Sequence, residues 1–174
     1  MTSPADHTRH GALGLLRGIV PQKGYKVREF DLKTKLDSYL VLAILDAAAA
    51  KLSVPHLAPE DFLKMNELIE LIDLIDIAIK YKNYVTYNLY QEQFHQIYID
   101  KCDNLPLQRE IMSFKNNIPS YLYYSEDQDR LFELLLEVNE EHRQILALLK
   151  EKKGNDVSDY LIRTHWQTYY QDML

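Results

Sequence analysis

Tyr84-Val85-Thr86-Tyr87-Asn88-Leu89-Tyr90-Gln91-Glu92-Gln93-Phe94-His95-Gln96-Ile97-Tyr98-Ile99-Asp100 is the stretch that decides the fold. Tyr84, Tyr87, Gln91, His95 and Tyr98 recur at intervals of three and four, with Phe94 beside them, which is the period of one helix face. Gln91 and His95 project from that face about one turn, roughly 6 Å, apart. The aromatic and apolar residues along the stripe turn it inward. An imidazole facing inward needs a hydrogen-bond partner or a metal. His142 and His165 also fall on amphipathic stretches and could complete a buried polar pocket inside a helical bundle.

Outward from this stretch the pattern stays helical. Residues 33–53 carry Leu36, Tyr39, Leu40, Ala43, Ile44 and Ala47, then an alanine run that permits close helix approach. Pro59, followed by Glu60 and Asp61, is a helix start signal. Phe62, Met65, Ile69, Ile72, Ile75 and Ile79 trace a stripe to about Lys80. The helix of the opening stretch spans roughly 83–101. Cys102-Asp103-Asn104-Leu105-Pro106 is a turn, and Pro106 starts a fourth helix that Pro119 breaks or kinks near Ile118. Ser125-Glu126-Asp127 opens a long fifth helix with Leu131, Leu134, Leu135, Val138, His142, Ile145 and Leu149 on one face, closed by Gly154. A last helix covers about 156–172. No β pattern appears in this part of the chain, so the predicted fold is all-α, an antiparallel bundle of about six helices.

Residues 1–30 differ. The first ten are polar, four of the five glycines lie at 11–24, and Gly18 to Val27 reads as two short extended pieces around a turn. A lone hairpin of that size cannot stand by itself. The expected division is therefore 1–30, a disordered tail plus a wing-like hairpin, and 31–174, the helical domain.

Composition narrows the function. A net charge of −6 over 174 residues disfavours nonspecific nucleic-acid binding. Cys102 is the sole cysteine, so no internal disulfide forms, and a reducing, cytoplasmic setting is expected. No apolar run reaches the roughly 18 residues of a membrane span, and no signal-peptide core is visible. Thirteen tyrosines are many for this length and could line a cavity or sit at helix contacts with wetted hydroxyls. Three histidines from three helices, with the amide oxygen of Gln91, form a donor set suited to a divalent transition metal such as zinc or nickel. Spacing alone equally suits satisfied core histidines. Glu92 with His95 is a single Glu-x-x-His, and di-iron chemistry needs a second copy that is absent.

The order of these motifs resembles the ligand-binding C-terminal (FCD) domain of the FadR subfamily of GntR transcription regulators, over about residues 32–170. Its third helix carries an aromatic residue, then Asp-x-x-Phe-His, then a Gly-Asn turn; this chain has Tyr87, Gln91-Glu92-Gln93-Phe94-His95 and Asp103-Asn104. Its fifth helix carries Glu-His, then Ile and a Gly-Asp turn, matched by Glu141-His142-Arg143-Gln144-Ile145 and Gly154-Asn155-Asp156. Its last metal histidine is matched by Arg163-Thr164-His165. Leu13 to Val20 followed by Lys23 to Phe30 resembles the end of a recognition helix and the wing of a winged helix whose first helices do not precede it here.

The resemblance implies a non-enzymatic, cytoplasmic, homodimeric effector-sensing domain. Metal would be held by His95, His142, His165 and Gln91, and a small organic ligand, such as a carboxylate, by Tyr84, Tyr87, Tyr98 and Leu42. DNA would be bound only through a complete winged helix. Two departures stand out. Gln91 replaces the family's aspartate ligand, and Leu42 replaces an arginine that faces the pocket, which removes an arginine–carboxylate fork. A metal-dependent hydrolase on a helical bundle and a metal-free interaction bundle are the alternatives, the first because an open three-histidine site can activate water.

Overall fold

The computed structural model describes residues 32–78, 84–117 and 128–167. Six α-helices follow one another: α1 Leu32–Ser53, α2 Pro59–Ala78, α3 Tyr84–Lys101, α4 Leu105–Asn117, α5 Gln128–Lys150 and α6 Gly154–Tyr160. A single π-helical turn, Leu161–His165, continues α6. No strand occurs among the described residues, and the all-α bundle expected from the sequence is found. The proposed wing, the Pro119 kink and residues beyond 167 lie outside the described residues.

Local signals account for the ends of these helices. Asp61 reaches back to accept from the Ala58 amide at 2.9 Å, closing a cap around the proline start of α2. Asn104 Oδ1 accepts from the Leu107 amide at 3.1 Å and caps α4, so Pro106 takes the second helical position rather than the first. The end of α5 differs from the expectation of a glycine cap. Lys152, not Gly154, adopts the left-handed conformation at φ 58. The Lys153 amide bonds the Leu148 carbonyl and the Lys152 amide bonds that of Leu149, the paired bonds of a Schellman motif. Gly154 instead begins α6.

Helix α1 is central, packing on α3, α4, α6 and the π-turn, while α2 lies against α3 and α5. Its alanine run makes this possible, since Ala47, Ala49 and Ala50 are fully buried and hold other helices at short range. The inward face of α1 is rotated from the one expected: Leu42, Ala43, Asp46 and Ala47 point in, whereas Leu40 and Ile44 are exposed. Met65 and Ile69 of α2, Phe94, Tyr98 and Ile99 of α3, and Ile145 and Leu149 of α5 fill the main core. Burying each such side chain contributes about 1.5–3 kcal/mol. A smaller cluster of Ile72, Tyr87, Leu134, Leu135 and Val138 continues it. Between these two apolar clusters lie the histidines.

Candidate metal centre

His95 on α3, His142 on α5 and His165 in the π-turn are buried together. The Nε2 atoms of His142 and His165 stand 3.3 and 3.2 Å from Nε2 of His95. Three helices distant in sequence thus deliver three imidazole nitrogens to one point.

Each ring turns its other nitrogen to an oxygen. His95 Nδ1 lies 3.0 Å from Asp46 Oδ2, His142 Nδ1 3.4 Å from Asn139 Oδ1, and His165 Nδ1 3.0 Å from Glu141 Oε2. Asn139 cannot present its nitrogen to His142, because that nitrogen donates to the Ile69 carbonyl at 3.2 Å and to Asp73 at 2.6 Å. The oxygens facing the rings are acceptors, so the proton of each neutral imidazole resides on Nδ1. Three Nε2 lone pairs then converge. Lone pairs at this separation repel one another unless a cation lies between them. The spacing suits one: with metal–nitrogen bonds of about 2.0–2.1 Å, tetrahedral ligands stand roughly 3.3 Å apart. Each ring also has the oxygen partner at its outer nitrogen that metal-binding histidines usually have.

Burial favours the neutral form of His95 and His142, the form that binds metal. His142 is pushed well below the usual histidine range of 6.5 by loss of solvent, then by His165, His95 and Arg143. Burial likewise lowers His95, outweighing the pull of Asp46 in the opposite direction. Burial alone would raise Asp46, but the opposing His95, hydrogen bonds from His95 and Tyr98, and the Lys115 charge hold it at about 2. Tyr98 is raised well above 10 by burial and by Asp46, and so remains a donor.

The π-turn explains how two adjacent residues serve one site. Neighbours on an α-helix diverge by about 100°. Here the Trp166 amide bonds the Leu161 carbonyl five residues back, widening the turn by one residue. His165 reaches the other imidazoles while the indole nitrogen of Trp166 donates to Asp46 Oδ2 at 3.1 Å.

Of the residues singled out in the sequence, the three histidines meet. Gln91 lies one turn before His95, half-buried, and its amide nitrogen donates to Asn88 at 3.1 Å. The Tyr98 hydroxyl lies 2.7 Å from Asp46 Oδ2 and 2.5 Å from His95 Nδ1, so it braces the histidine. Tyr87 and Leu42 are buried in the smaller and larger apolar clusters respectively. Tyr84 opens α3, and its side chain lies outside the described residues. Asp46, Asn139 and Trp166 are site residues beyond those expected from the sequence, and Glu141 faces inward although its helical pattern does not place it there firmly. Asp46 carried a signal, being the single charge between Tyr39 and Ala50, where an isolated carboxylate demands buried partners. Glu141 is in fact only 12% exposed at its side chain.

A model of the FCD domain family matches residues 37–168. No curated protein matches the chain by sequence. Among solved structures, E. coli McbR/YncC superposes with a TM-score of 0.70, covering 89% of this chain and 71% of that one at 18% identity. That likeness concerns the fold.

Proposed function

The chain belongs to the FCD domain family, and from that premise we propose that it is the effector-sensing and dimerisation domain of a GntR/FadR-like transcription regulator. His95, His142 and His165 hold a divalent transition metal, zinc or nickel. Gln91, one turn from His95, is the further oxygen donor once its amide turns toward the ion. The observation that carries this reading is that the Nε2 atoms of His142 and His165 lie 3.3 and 3.2 Å from that of His95, with ligand nitrogens of all three within 4.8 Å of one another and an acceptor at each Nδ1. Three imidazoles leave coordination positions open. A small organic acid fills one through its carboxylate, with Tyr84, Tyr87, Tyr98 and Leu42 on the helices around it. Binding there biases the packing of α3, α5 and the π-turn and so the spacing of DNA-binding elements in the dimer. DNA contact itself belongs to a complete winged helix.

Elemental analysis of protein purified without chelator tests the centre. One equivalent of zinc or nickel is expected for the wild type, and a large loss for His95→Ala and for His142→Ala. Stoichiometric metal retained by both variants refutes the site. Thermal shifts with a panel of small carboxylates, in metal-loaded and metal-stripped protein, then test the ligand.

A further inference from the structure

Asp46 approaches His95 from the side opposite the other two histidines: it meets Nδ1, and they meet Nε2. It is fully buried. Three groups converge on its Oδ2, namely His95 Nδ1 at 3.0 Å, the Tyr98 hydroxyl at 2.7 Å and the Trp166 indole nitrogen at 3.1 Å. An indole N–H only donates, so Oδ2 offers it a lone pair. The Tyr98 hydroxyl gives its proton to the same oxygen and turns only lone pairs toward His95 Nδ1, 2.5 Å away. Both neighbours of Nδ1 are therefore acceptors, and the proton of that ring has one place to be. Asp46 Oδ1, also buried, has no hydrogen-bond partner among the described residues. A buried carboxylate with one oxygen left over is a negative charge that its own hydrogen bonds do not fully satisfy.

The donor set lacks such a charge. Three imidazoles and the amide of Gln91 are all neutral, and before any ligand binds a dication among them in a buried site has no anion from the protein in contact. Resting on the metal-binding function proposed above, we propose that Asp46 is the positioning residue of the centre. It fixes His95 with the proton on Nδ1 and Nε2 bare toward the ion, and from behind that ring, as the less buried Glu141 does behind His165, it supplies negative charge that the donor atoms do not carry. Through the shared proton it also makes Nε2 a stronger donor, as carboxylates behind metal-bound imidazoles do.

The test measures Zn2+ affinity of the full chain by competition with a chromophoric chelator, for the wild type, Asp46→Asn and Tyr98→Phe. The asparagine keeps the shape but removes the charge and can offer N–H to Nδ1, which drives the ring proton onto Nε2. A weakening of about 10–100-fold is expected for Asp46→Asn, and a change within about threefold for Tyr98→Phe, which leaves the carboxylate on His95. A role confined to holding α1 against α3 would weaken both variants alike. Because Asp46→Asn could fail to fold, nitrogen-15 NMR of the metal-free wild type reads the His95 tautomer directly, with protonated Nδ1 and bare Nε2 expected. Protonated Nε2 there, or unchanged zinc affinity in a folded Asp46→Asn, overturns the role of Asp46 while leaving the metal centre intact. Failure of the wild type itself to bind Zn2+ removes the metal centre, and the role of Asp46 with it.

Discussion

Free of any metal, this protein should be acid-labile over a narrow and calculable range. His142 is fully buried and its folded pKa is pushed well below 6.5, whereas in the unfolded chain it titrates near that value. Below pH 6.5 the unfolded state thus binds a proton that the folded state refuses. Stability is complete above this value and falls as the pH drops through it. Between pH 7.5 and 5.5 the linkage from one such histidine is on the order of 1 kcal/mol. His95 is lowered too and adds to the fall, so the total is on the order of 1–3 kcal/mol. For a chain of this size that is a fall in Tm of roughly 3–10 °C. Asp46, held at about 2, exerts its own dependence only below the ordinary carboxylate range and does not enter this window. Urea unfolding in chelator at pH 7.5, 6.5 and 5.5, followed by the emission of Trp166, the single tryptophan, measures the slope. The same series on His142→Gln should be flatter by about 1 kcal/mol. A wild-type stability unchanged to pH 5.5 would refute the argument, since it requires the rings to charge inside the fold without cost.

Three further outcomes are expected. Lys152→Gly should stabilise the protein by up to about 1 kcal/mol in urea unfolding, because Lys152 holds φ 58 at the end of α5 and glycine adopts that region freely; a loss of stability would mean the lysine side chain contributes more than its backbone costs. Asn139→Ala should cost about 1–3 kcal/mol and also weaken zinc binding, since it strips partners from the Ile69 carbonyl, Asp73 and His142 together; unaltered zinc affinity would show that His142 orients without it. Phe94→Ala should cost about 3–5 kcal/mol, as the fully buried ring packs 4.6 Å from the His142 ring between centroids, and denaturation showing under about 1 kcal/mol would contradict its place in the core.

Much of this architecture is legible in the sequence. The 3–4 stripes on α2, α3 and α5, the Pro59 start and the Asn104–Pro106 turn placed the helices within a few residues, because hydrophobic period and capping chemistry are local properties. His95 and His142 were legible for the same reason, as polar residues on otherwise apolar faces. The rotation of α1 was not. From Tyr39 to Ala50 it is apolar but for Asp46, so the hydrophobic period did not rank the face bearing that carboxylate above the one bearing Leu40 and Ile44. The end of α5 also escaped, because Gly154 was the residue suited to a left-handed cap and the chain used Lys152 instead.

Sequence by itself determined that this is a helical bundle with histidines turned toward its interior, since each helix declares its own buried stripe. Only the tertiary structure decided that three rings meet at their Nε2 atoms, that Asp46, Asn139 and Glu141 stand behind them, and that a π-turn brings His165 and Trp166 to the same place. Those facts depend on how α1, α3, α5 and the last turn are rotated and seated against one another. Packing sets that rotation over contacts up to 120 residues apart in the chain, as between Asp46 and Trp166, and no local period records it.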